Sequence, residues 1–172
     1  MPVNVSVTDL LEYTDWERGK WLDLMRRHAP AVLEISAGPH GDGRFEKIGE
    51  LIRHIFSAEQ RYVERLSGLP LTDTAAMPCN DAETLFLFGQ QSRRTLRQLL
   101  EAFPAAHWDS PRQFKILDYS LSATPRKIIT HILLHEIRHW AQIGTLLRLN
   151  GITDGFHDIL FSPVMGDPNP AG

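Results

Sequence analysis

Residues 124–151 read TPRKIITHILLHEIRHWAQIGTLLRLNG. Thr124 followed by Pro125 is a clean helix start: a hydroxyl able to accept from a free amide of the first turn, then a residue whose preset φ and missing N–H suit that turn. Apolar residues recur at helical spacing from there to Asn150, and Gly151 supplies the stop. Histidines stand at His131, His135 and His139, in successive steps of four. Residues four apart lie one turn above each other on one helix face, so His135 and His139 can direct ring nitrogens at a common point. The outer pair is about 12 Å apart along the axis, too far for all three rings to share one ion at about 2.0–2.1 Å. One of the three is therefore expected outside the bonding set.

Three further segments carry the same periodicity. Residues 8–28 place Leu10, Leu11, Trp16, Trp21, Leu22, Leu24 and Met25 at helical spacing, with Thr8 as the expected cap. Pro30 limits this helix, and AGPHGDG at 37–43 has loop composition. Residues 45–67 form a second predicted helix with a stripe of Ile48, Leu51, Ile52, Ile55, Ala58, Tyr62 and Leu66, ended by Gly68, with His54 at the stripe's edge. After a connection at 69–79, a third helix is expected from Asn80 or Asp81 to about Phe103, before Pro104, with Arg93, Arg94, Arg97 and Glu101 on its outer face. Residues 105–122 lack a sustained period and are expected as loop, with a short extended stretch around 114–119. The tail, 152–172, is expected to be irregular and to pack back through Phe156, Ile159, Leu160 and Phe161. The expected fold is an all-α four-helix bundle in one domain, 1–172, with connections long enough that plain up-and-down topology is not required.

Composition narrows the function. A chain of 172 residues, 42% apolar and 23% charged, falls in the range of one globular domain. A formal charge of -3 with 18 scattered basic residues argues against a nucleic-acid partner. No apolar run approaches the roughly 20 residues needed to span a bilayer, and MPVNVSVTDLLEY has neither a basic nor an apolar leader region. No membrane partner and a cytoplasmic location are expected. The single cysteine, Cys79, fits a reducing compartment and rules out a multi-cysteine metal site.

Histidine spacing alone leaves two readings open: buried histidines satisfied by hydrogen bonds, in a bundle with no metal, or an ion that satisfies several rings at once. His135-Glu136-Ile137-Arg138-His139 also matches HExxH, the metalloprotease pattern in which the glutamate is general base. That chemistry needs a third ligand downstream. No glutamate follows Glu136, and Thr145 stands six residues after His139, which leaves Asp154, His157 and Asp158 as irregular candidates and the protease as a lesser alternative.

DLLEYTDWERGKWLDLM (9–25), IGELIRHIFSAEQRYVERLSG (48–68) and ITHILLHEIRHWAQIGTLLRLNG (129–151) together resemble the DinB/YfiT-like family of helical metal-binding proteins in order, spacing and histidine positions. The resemblance implies a four-helix bundle whose metal is held by His54, His135 and His139, with His131 outside. Where many members have a basic residue and glycine after the last histidine, this chain has Trp140 and Ala141. Three neutral imidazoles leave at least one coordination position for water or substrate. Zinc or nickel suits such ligands. The family further implies a metal-dependent enzyme acting on a small molecule, a thiol-dependent S-transferase with a low-molecular-weight thiol as cosubstrate or a small-substrate hydrolase, and a homodimer. The alternative is a non-catalytic metal-binding or stress-associated module. Around the ligands, Glu59 and Gln142 are candidates to orient rings, and Tyr13 and Trp16 to line a pocket. Glu136, about 100° around the helix from His135, reads equally as a surface charge; Arg138 and Arg148 are expected in solvent, and Cys79 is not read as a substitute for the thiol.

Overall fold

The computed structural model describes residues 4–38, 43–116, 118–153 and 155–166. Positions 39–42 of the expected loop, and Asp154, lie outside the described residues.

Helix α1 (Val7–His28) begins before Thr8 because a better cap stands upstream. Ser6 Oγ accepts from the Asp9 amide at 3.1 Å while the Asp9 carboxylate accepts from the Ser6 amide at 2.7 Å, a reciprocal box that satisfies two otherwise open donors. Helix α2 (Ile48–Ser67) starts later than the expected residue 45. Ser36 and Lys47 form an antiparallel bridge, with the Ala37 amide donating to the Glu46 carbonyl and the Ile48 amide to the Ile35 carbonyl, so the backbone stays extended up to Lys47. Gly68 ends α2 at φ 69°, the left-handed conformation a glycine adopts without steric cost. Helix α3 (Ala82–Ala102) is capped by Asp81, and helix α4 (Pro125–Leu149) by Thr124, whose hydroxyl accepts from the Lys127 amide at 3.2 Å.

The expected loop at 105–122 is a correction. It holds an antiparallel hairpin of β1 (Arg112–Ile116) and β2 (Tyr119–Ala123), paired from Arg112↔Ala123 to Ile116↔Tyr119. Five-residue strands carry too short an alternation to stand out in a sequence; Phe114 and its neighbours find their partners only against Tyr62 and the α4 face. The chain is thus mostly helical with one small hairpin.

Two apolar clusters fill the bundle. One gathers Trp21, Leu24, Leu51, Ile55, Phe56, Leu85, Trp140 and Ile143; the other gathers Leu11, Val63, Leu66, Leu96, Ile129 and Leu133. Each fully buried side chain of this size stabilises by about 1.5–3 kcal/mol relative to exposure. Membership also gives the topology. The early part of α2 shares a cluster with the early part of α3 and with the late parts of α1 and α4, so α2 and α3 run parallel to each other and antiparallel to α1 and α4. The connection between α2 and α3 must therefore travel back along the bundle. It lands against Gly49, where a Cβ would sit 1.8 Å from the Cys79 carbonyl oxygen.

Between the clusters lies a charged layer with one residue from each helix: Arg18, Glu59, Arg93 and Glu136. Arg18 Nε and Nη2 donate to the two Glu136 carboxylate oxygens at 2.6 and 2.7 Å, and Nη2 also reaches Glu59 at 3.0 Å. Arg93 Nη2 bridges Glu136 at 2.7 Å and Glu59 at 3.0 Å, while Ser92 and the Trp140 indole complete the carboxylates' partners. All four residues are at most 7% exposed. Buried charges survive only when so paired. Two expectations are corrected here: Arg93 is not on an outer face, and Glu136 is not a surface charge.

The tail does return to the bundle, though not through the expected residues. Phe156, Ile159, Leu160 and Phe161 are all exposed; Ile152 packs against the core, Val164 is buried, and the His157 ring stacks on Trp21 with centroids 4.1 Å apart. No described helix is long and apolar enough to cross a membrane.

Candidate metal centre

His54 sits on α2 one turn past the stripe residue Leu51, and His135 and His139 stack one turn apart on α4. Packing of these two helices brings the three rings together. His135 Nε2 lies 3.1 Å from His54 Nε2 and 3.1 Å from His139 Nε2, and one nitrogen from each ring falls within 4.8 Å of the others. Three nitrogens at about 2.0–2.1 Å from a tetrahedral ion would stand about 3.3–3.4 Å apart, so the observed spacing is close to that of a ligand set.

The donor chemistry fits a cation better than a hydrogen-bonded cluster. Gln142 Oε1 lies 2.5 Å from His139 Nδ1, which places the ring proton on Nδ1 and leaves a lone pair on Nε2. His135 Nε2 then faces two ring nitrogens, and a single proton there can point at only one of them. A shared cation satisfies all three lone pairs. Burial pushes the pKa of His135 down, and the neighbouring His139, His54 and His131 push it further, to about 2. Its ring is neutral, the state a ligand must have.

His131, one turn before His135, stays apart: its ring centroid is 5.4 Å from that of His135 and it packs edge-on against Tyr62. Of the residues considered for orienting rings, Gln142 does so for His139, whereas Glu59 belongs to the charged layer, where its partners among the described residues are Arg18, Ser92 and Arg93. Phe45 lies against His54 with centroids 4.6 Å apart. Beside His54 opens a cavity of about 300 Å³ whose wall includes Arg53, Ser57, Arg61 and Asp73. Ser57 Oγ is buried there with no partner among the described residues. The loop forming the far wall is held by Glu64, which accepts from the Thr72 amide at 2.9 Å and from its hydroxyl.

Tyr13 does not face this cavity. It lines another, of about 410 Å³, on the far side of α4. Arg138 and Arg148 are exposed, and Cys79 is half-buried and unbonded. Asp158 and His157, weighed as a downstream third ligand for HExxH, lie at that same far cavity, and Glu136 turns into the charged layer. The charged layer itself escaped the sequence reading. The signal was present, since Arg18, Glu59 and Glu136 each stand three or four residues from core positions on the inward face of their helix.

The model of the DinB family matches residues 1–167. No curated protein matches the chain.

Proposed function

This chain belongs to the DinB family, and from that premise we propose that it holds one divalent cation, zinc or nickel, on His54, His135 and His139 and is a metal-dependent enzyme for a small molecule. The observation that carries this reading is the convergence of three imidazole nitrogens, from two helices distant in sequence, at spacings of 3.1 Å around His135. An ion on three imidazoles keeps a coordination position open, and when bound supplies Lewis acidity and lowers the pKa of a group brought to it. Gln142 orients His139. The cavity beside His54 receives the substrate, with Arg53, Arg61 and Asp73 in its wall to bond it. A low-molecular-weight thiol, transferred or used as cosubstrate, and hydrolysis of a small substrate are the two reactions this arrangement serves.

Elemental analysis of tag-free protein tests the reading. About one equivalent of metal is expected in the wild type and little in His54→Ala or His135→Ala; unchanged content in both would overturn it. Cobalt-substituted protein should change its visible spectrum when 2-mercaptoethanol is added. A spectrum indifferent to the thiol would remove the thiol chemistry and leave hydrolysis of a small substrate as the remaining reaction.

A further inference from the structure

The 410 Å³ cavity on the far side of α4 has no role in the proposed metal chemistry. At about 100° per residue, its α4 wall of Ile137, Ala141, Thr145 and Arg148 lies opposite the His135–His139 face. Gly144 adds no side chain to that wall, and Trp21 and Trp140, stacked 5.2 Å apart, form its base. Its size is that of a pocket for a small organic ligand.

Three polar groups of this cavity, Tyr13, Glu17 and Asp158, are acceptors; of its donors, Arg148 on the α4 wall bonds Thr145 at 3.3 Å and the buried Trp21 Nε1 has no partner among the described residues. Glu17, 2% exposed, receives His157 Nδ1 on Oε1 at 2.9 Å, while its Oε2 has no hydrogen-bond partner among the described residues. Tyr13 has committed its hydroxyl proton to the His157 carbonyl at 2.5 Å, so its oxygen is left as an acceptor. Asp158 adds a second carboxylate. Burial pushes the Glu17 carboxyl above its usual range, the sign of an anion that lacks sufficient compensation in the chain itself. A half-satisfied buried carboxylate, a lone-pair-bearing phenol and a second acid match a ligand rich in N–H donors and positive in charge, with an apolar body to lie along the exposed Phe156 ring.

We propose that this cavity is a second binding site, independent of the metal centre, for a small organic ammonium ion whose charged head bonds Glu17 and whose apolar part packs on Phe156. The tail residues Phe156 and His157 form one side of the site, so ligand and tail stabilise each other's placement.

Isothermal titration of the full chain with benzylamine, benzyl alcohol and benzoate tests it. Benzylamine should bind saturably below about 10 mM, benzyl alcohol about ten-fold more weakly, and benzoate not measurably. Glu17→Gln should bring benzylamine down to the level of the alcohol. Should that variant fail to fold, Thr145→Phe, an exposed position at the cavity wall, should weaken benzylamine by about ten-fold through occlusion. Absence of saturable benzylamine binding, equal affinity for amine and alcohol, or benzylamine binding undiminished in whichever of these variants folds would overturn the proposal. Because the metal ligands are untouched, metal content in both variants separates failure here from failure of the metal assignment.

Discussion

Glu136 follows His135 in the chain, yet its carboxylate turns away from the imidazoles and grips the guanidinium of Arg18 through two hydrogen bonds of 2.6 and 2.7 Å. The HExxH string is thus divided between two tasks by helix geometry: its histidines face α2 and its glutamate faces the centre of the bundle. Burial works against ionising Glu136, but Arg18 and Arg93 beside it hold its carboxyl below the usual range.

Removing that carboxylate leaves two buried guanidinium groups, Arg18 and Arg93, sharing the one buried carboxylate of Glu59. Glu136→Leu should lose about 3–5 kcal/mol of stability, read as a drop in the urea midpoint at unchanged slope. Combining it with Arg18→Met should cost less than the sum of the single changes, because the remaining Glu59 and Arg93 still pair. A general base of the protease kind would instead be replaceable without loss of stability, so an unmoved midpoint would contradict the placement described here.

Gln142→Ala should weaken metal binding by about 10–100-fold without abolishing it, since the ring of His139 loses the acceptor that fixes its proton. His131→Ala should leave affinity near the wild-type value. Competition with a chromophoric chelator measures both. An affinity loss for His131→Ala equal to that for Gln142→Ala would move His131 into the ligand set.

Acid should destabilise the metal-free protein through His135. Its folded pKa of about 2 lies below the ordinary value of 6.5, so as pH falls below 6.5 the unfolded chain takes up a proton that the folded chain refuses. The stability this ring contributes is therefore whole above pH 6.5 and is lost progressively toward pH 2, with a slope of at most about 1.4 kcal/mol per pH unit. Urea unfolding of chelator-treated protein between pH 7.5 and 4.5, compared with His135→Phe, isolates the effect: the variant should show a shallower dependence. Parallel curves would contradict it.

Gly49→Ala should destabilise by about 1–3 kcal/mol or more, because the added methyl would lie 1.8 Å from the Cys79 carbonyl oxygen and backbone must move. Gly19→Ala, on α1 with nothing within 4 Å of the new Cβ, should instead stabilise slightly through helix propensity. Thermal unfolding of the pair checks the contrast; equal shifts would mean that the α2–α3 connection does not press on α2.

Much of this protein was legible in the chain because it depends on neighbours within a few residues. Four amphipathic periods, the Thr124–Pro125 start, the glycine stops at Gly68 and Gly151, and the pairing of His135 with His139 all follow from helical repeat and local hydrogen bonding. The hairpin, the bridge that delays α2, and the true cap at Ser6 were decided by competition among local options that differ by little energy. Which charges lie buried was settled only by tertiary packing, since an arginine on a core-facing position is ruinous alone and stable once carboxylates from other helices meet it. The approach of His54 to the α4 pair and the docking of His157 on Trp21 belong to the same class. Periodicity says which face of a helix turns inward, but the partner waiting there is chosen by how the helices assemble.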